Sequence, residues 1–189
     1  MLLDGAGEGK SWSSRDLPAQ EALRTWKHWA CDTLAPMHID VPDESGFAAH
    51  WRSRTLGPLQ LTELVATPQR VAHSAEENAR ACEATFQLVY CKRTPMSTRV
   101  GLRRFDVGEE EFVLLNNAQS YDVRMEDTNV ALDLIIPGSW LMRWLPDPEP
   151  YVAKPCSAMD KWGRPFGAFL TTLWEESRNP ALPHGVIAD

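Results

Sequence analysis

Between residues 130 and 146 the apolar pattern changes period, and that change limits the architecture more than any other feature of the chain. Val130, Leu132, Leu134 and Ile136 alternate, with Asp133 on the opposite face among mostly apolar neighbours, which is the two-residue rhythm of a strand. Pro137 follows. Trp140, Leu141, Trp144 and Leu145 then share one helical face over about two turns, until Pro146 and Pro148 stop the segment. A strand that feeds straight into an amphipathic helix predicts a rolled sheet with helices lying across it.

The residues before this point read as short strands. Phe86, Leu88 and Tyr90 face one way, and a turn region over 92–98 contains Pro95. Val100 and Leu102 alternate, and 106–109 turns the chain. Phe112 and Leu114 face opposite to Val113 and Leu115; Asn116 and Asn117 turn the chain again, and Tyr121, Val123 and Met125 alternate. Upstream, Phe47, Ala49 and Trp51 make one strand and Leu59, Leu61 and Glu63 another, around Gly57 and Pro58. A third lies near 70–73, and 74–84 is polar, either loop or one helical turn. No long helical pattern separates the strands of 84–136, so the segment predicts a sandwich or barrel rather than a parallel α/β sheet.

Helices flank this β region. Leu23, Trp26, Ala30 and Leu34 form one stripe over 18–34, with Trp29 at its edge, Pro18 in the first turn and Pro36 beyond the end. Phe166, Phe169, Leu170, Leu173 and Trp174 form a broader stripe over 164–177. Residues 1–16 are rich in Gly, Ser and charge and read as a flexible leader; 179–189 reads as a tail or linker stub.

Composition narrows the function. The 189 residues suit a single hydrophobic core, and eight tryptophans carry much apolar area for a core or an interface. A net charge of -7 disfavours phosphate backbones as partners. The densest basic stretch, Lys92, Arg93, Arg99, Arg103 and Arg104, reads as the solvated face of a hairpin. Cys31, Cys82, Cys91 and Cys156 form no Cys-x-x-Cys pair, and the start of the chain lacks a signal-peptide pattern, so reduced cytoplasmic thiols are expected. The apolar run at 134–137 is far too short for a membrane helix.

In the order of these elements the chain resembles the N-terminal cupin-type ligand-binding domain of AraC-family transcription regulators. The likeness spans roughly residues 18–178. It is carried by GPLQLTELVATPQRVAH at 57–73, FDVGEEEFVLL at 105–115 and, most closely, VALDLIIPGSWLMRWLP at 130–146. The resemblance implies a mainly β fold with α: a cupin-like jelly-roll barrel or sandwich over about 37–136, one N-terminal helix, and two C-terminal helices over about 138–145 and 164–177. The sensor-like domain would occupy 17–178. It implies ligand sensing and dimerisation without the helix-turn-helix half that reads DNA, so this fragment alone is expected to contact no nucleic acid and no membrane.

The alternatives are a cupin-type metal-dependent enzyme and a non-catalytic structural or partner-binding domain. A metal centre would need converging histidines; the chain has no His-x-His, and only His38, His50 and His73 are placed to meet. Gly138-Ser139-Trp140 falls short of a nucleophile elbow, and Ser139 reads better as a helix cap. Cys91 adjoins Lys92 and Arg93 but reads as a buried thiol. No catalytic residue, metal or cofactor is therefore expected. A small-molecule effector is expected instead, with Trp51, His73, Tyr90, Arg99 and Tyr121 as candidate lining residues, Arg99 suiting a carboxylate. Trp140, Trp144, Phe166, Phe169, Leu173 and Trp174 are the candidate homodimer interface, in line with the helix pairing of the resembled family.

Overall fold

The computed structural model describes residues 9–74, 84–157 and 160–177. Among these, the strands form two antiparallel sheets. The six-stranded sheet has the order β1 (Lys10–Ser13), β3 (Ala49–Leu56), β4 (Leu59–Ala66), β11 (Asn129–Pro137), β6 (Thr85–Arg93), β9 (Glu111–Asn116). The five-stranded sheet has the order β2 (His38–Asp40), β5 (Gln69–His73), β10 (Tyr121–Met125), β7 (Met96–Val100), β8 (Arg103–Val107). Strand neighbours far apart in sequence, such as β4 with β11 and β5 with β10, give the crossovers of a jelly-roll sandwich.

The structure departs from the sequence reading at two places. Gly57 and Gly101 both have φ of 58°, a conformation glycine adopts without Cβ strain, and each closes a tight hairpin. The second hairpin ends β7 at Val100 and puts Leu102 at its tip, fully exposed, so Leu102 does not alternate with Val100 in one strand. Lys10–Ser13 pairs with β3 in register Trp12↔Trp51, so this part of the expected leader is an edge strand; its short length limits the open edge it presents. Residues 1–8, most of the polar run at 74–84, and the tail at 179–189 lie outside the described residues.

The helices cover the sheets from outside and from one end. α1 (Ala19–Thr33) buries Leu23, Trp26 and Ala30 of the expected stripe together with Ala22, while Leu34 follows as the C-cap. Trp26 is the hub of an aromatic cluster, with ring centroids 5.7 Å from Trp51, 6.2 Å from Trp12 and 6.2 Å from Phe47. α2 (Gly138–Trp144) begins directly after β11; Pro137 occupies the N-cap position without a side-chain cap bond, so Ser139 is not the cap. The Gly138 N–H donates to the Ala84 carbonyl at 2.8 Å, so close an approach that a Cβ at 138 would meet that oxygen. A 3-10 turn at Glu149–Tyr151 leads to α3 (Gly163–Ser177), which buries Gly167, Leu170 and Trp174.

Alternation along β6, β9 and β11 sends successive side chains to two different places. Tyr90 and Phe112 stack at 4.5 Å and meet α3 through Gly167, whose close approach leaves 3.1 Å between a would-be Cβ and the Tyr90 hydroxyl. Phe112 also lies 5.2 Å from Phe166. Gln87, Val89, Leu115, Ala131 and Asp133 have the opposite parity and point between the sheets.

Candidate functional site

The space between the sheets is not filled. A chamber of about 80 Å³ lies there, walled by Leu64, Gln69, Val71, Gln87, Val89, Leu115, Val123, Met125, Ala131 and Asp133, and closed at one end by Trp26, Ala30 and Leu34 of α1. The wall is mostly apolar with a few polar groups, the composition expected of a small-molecule site. α1 packs over the opening through its apolar face, and Trp26 Nε1 donates to Gln69 Oε1 at 2.9 Å.

Asp133 and Gln87 are buried polar groups of the wall. Asp133 is 2% exposed and Gln87 6% exposed. Gln87 Nε2 donates to Asp133 Oδ2 at 2.8 Å. Asp133 Oδ1 and Gln87 Oε1 have no hydrogen-bond partner. Burial pushes the Asp133 carboxyl up to about 7, only partly opposed by the Gln87 hydrogen bond. At the chamber edge Asn129 faces away: its amide donates to the Thr94 carbonyl at 2.7 Å and to the Arg93 carbonyl at 3.1 Å, tying the β6–β7 turn to the bulge at Val130 and Ala131.

The structure separates the expected lining residues. Tyr121 lines the chamber, its hydroxyl 3.3 Å from Asn117 Oδ1. His73 stacks on Tyr121 at 4.9 Å but stands behind it; its ring nitrogens bond the Pro36 and Asn117 carbonyls, joining the segment after α1 to the β9–β10 turn. Trp51 is 0% exposed within the aromatic cluster under α1, outside the chamber. Tyr90 is on the outer face of β6, because that face is covered by α3 rather than by the second sheet. Arg99 is on the solvent side of the smaller sheet, with Nη2 3.2 Å from Asp122 Oδ2. Asp122 also takes Arg70 at 2.6 Å, and these guanidinium groups hold its carboxyl below the usual range. Arg99 therefore cannot clamp a carboxylate in the chamber.

Asp133 and Gln87 are the residues that sequence reasoning missed as lining. The signal was present: Asp133 is the lone charge in an apolar strand, at the parity opposite to Leu132 and Leu134. Helices bury the apolar parity from outside, so the opposite parity faces the chamber.

Catalytic alternatives find no geometry here. No group of three or more His, Cys, Asp or Glu gathers among the described residues. His38 pairs with Asp40 at 2.8 Å and His28 with Asp32 at 3.1 Å, both at the surface. Cys91 is buried and its thiol is pushed up to about 11, chiefly by desolvation, so the neighbouring Lys92 and Arg93 do not activate it.

The helical candidates divide too. Trp174 is 2% exposed and Leu173 is packed on the same core, so Trp174 belongs to the fold rather than to an open face. Trp140 is partly buried against the sheet. Trp144 at 72% and Phe169 at 57% exposure face outward with Phe166, and so do Trp162, Met142 and Tyr151, which spacing did not single out. No helix among the described residues is long and apolar enough to cross a membrane.

A crystal structure of the AraC-like transcriptional activator CuxR superposes with a TM-score of 0.81 at 19% identity, covering 96% of this chain and 66% of that one. The chain thus spans just under two thirds of that regulator. The EutQ protein of Clostridium difficile matches at TM-score 0.39 and 10% identity over 52% of this chain and 69% of its own. Ectoine synthase from P. lautus matches at 0.36 and 14% over 46% and 64%. No curated protein matches. The family model of the AraC-binding-like domain matches residues 26–189, and it is to this family that the chain belongs.

Proposed function

We propose that the domain senses a small effector in the chamber between its sheets and pairs with a second copy through α2 and α3, as the regulatory part of a transcription regulator. The single observation that carries the reading is the chamber between the sheets with two unmet acceptors, covered at one end by α1. A packed scaffold would have filled that space, because interiors approach crystal density. The uncovered aromatics Trp144, Phe166 and Phe169 support pairing: large solvent-exposed rings are a costly surface for a monomer. Free thiols at Cys31, Cys91 and Cys156 support a cytoplasmic setting. DNA binding is assigned to the full-length regulator.

A thermal-shift screen of small amines, alcohols, sugars and carboxylates tests the sensing role. At least one class should raise the melting temperature of the wild type and have no effect on Ala131→Phe, which fills the chamber. Equal response in the two proteins would refute chamber binding. Sedimentation should give a dimer that Trp144→Ser with Phe169→Ser dissociates; a wild-type monomer at high concentration would refute pairing.

A further inference from the structure

Resting on the reading of the chamber as an effector site, we infer that the effector is a small monocation, a protonated primary amine on a short apolar body, held by Asp133 and Gln87. Most of the donors that line the chamber have partners elsewhere. Gln87 Nε2 is committed to Asp133, the Asn129 amide to the Arg93 and Thr94 carbonyls, and the Tyr121 hydroxyl approaches Asn117. Gln69 presents its oxygen to Trp26. What remains open is Asp133 Oδ1 and Gln87 Oε1, acceptors with no donor facing them.

With Asp133 ionised, the visiting group must donate. A carboxylate would then bring more acceptors and a second negative charge beside Asp133 and be repelled. A hydroxyl brings a single donor. An ammonium brings three donors and no acceptor, so it can serve both oxygens at once. It also brings the missing charge. Among the described residues lining the chamber there is no Lys, Arg or His; α1, β2, β4 to β7, β9 and β10 add Tyr121 as the one further titratable group. Cys91 of β6 lies near enough for Asp133 to influence its thiol, and that thiol stays protonated. A carboxylate without a counter-charge in such surroundings is unfavourable, and a bound ammonium makes it favourable. The remaining wall, Val89, Leu115, Val123, Met125 and Ala131, suits an alkyl body.

Titration calorimetry with n-butylamine, n-butanol and butyrate tests this on the wild type, Asp133→Asn and Gln87→Met. The wild type should bind n-butylamine in preference to the other two. Since the empty site holds its proton up to about pH 7, amine binding in acid must expel a proton. Affinity should be about tenfold weaker at about pH 6 than at about pH 8, with proton release visible as a buffer-dependent heat at the lower pH. Asp133→Asn should weaken the amine at least tenfold and abolish the pH dependence; Gln87→Met, which keeps the carboxyl, should weaken it less and retain the pH dependence. If n-butanol or butyrate binds the wild type as tightly, or Asp133→Asn keeps full affinity for the amine, the cation is wrong while the chamber remains an effector site. If none of the probes binds, and a crystal structure shows ordered water alone between Asp133 and Gln87, both the cation and the effector site are overturned.

Discussion

Strands β6 and β11 have two faces built on opposite terms. On the outer face Tyr90 and Leu132 are buried with Leu170 and Trp174 under α3; its one unmet polar atom is the neutral Trp174 Nε1. On the inner face Gln87 and Asp133 are equally buried, yet two of their oxygens are unmet and one group is ionisable. The backbone ladder is shared, so the difference lies in the side chains alone: Asp133 pairs with Val89 in the register that pairs Leu132 with Tyr90. The outer face adds stability by burying apolar area. The inner face gives stability up, because a buried carboxyl without enough partners favours unfolding once it ionises. A fold keeps such a face where something else supplies the missing partners.

Mutation separates the two faces, most strongly in the core. Trp174→Ala should cost about 3–5 kcal/mol in urea unfolding, since the ring is fully packed between α3 and the sheet; a loss under about 1 kcal/mol would show that α3 is not part of the cooperative core. On the inner face pH takes the place of truncation. The unfolded chain releases the Asp133 proton in the ordinary carboxylate range, whereas the folded chain holds it up to about 7. The folded state binds the extra proton between those limits, so stability falls as pH rises through the window, by about 4 kcal/mol for this group. Subtracting the Asp133→Asn profile from the wild-type profile isolates the effect, and a difference that is flat with pH would place the carboxyl in water.

Smaller effects sharpen the same contrast. Gly167→Val forces carbon against the Tyr90 hydroxyl and the Phe112 ring and should cost about 1–3 kcal/mol in melting experiments. Trp144→Ser removes an exposed ring and should leave monomer stability within about 0.5 kcal/mol.

Sequence made the local features legible and left the global ones hidden. Alternation at 130–136 and the helical stripe after Pro137 are set by nearest neighbours, and they locate β11 and α2 to within a residue. The stripe of α1 was equally readable. Parity is readable as well, but not which parity faces inward. That depends on what covers each side, and here both sides are covered, by helices outside and a second sheet inside. Tyr90 and Trp51 were therefore assigned to the chamber on chemistry alone, and Asp133 was passed over. Trp12 was missed because β1 is short and sits in a Gly- and Ser-rich stretch, where its pairing with β3 leaves no periodic trace.

The most direct test replaces the polar pair by hydrocarbon. Asp133→Leu with Gln87→Met fills the chamber and removes both unmet acceptors, and urea unfolding of this double variant at about pH 8 reads the consequence. If these side chains are held in place for a guest rather than for the fold, the midpoint rises above that of the wild type. A midpoint that falls below it would mean that Asp133 and Gln87 support the sandwich itself.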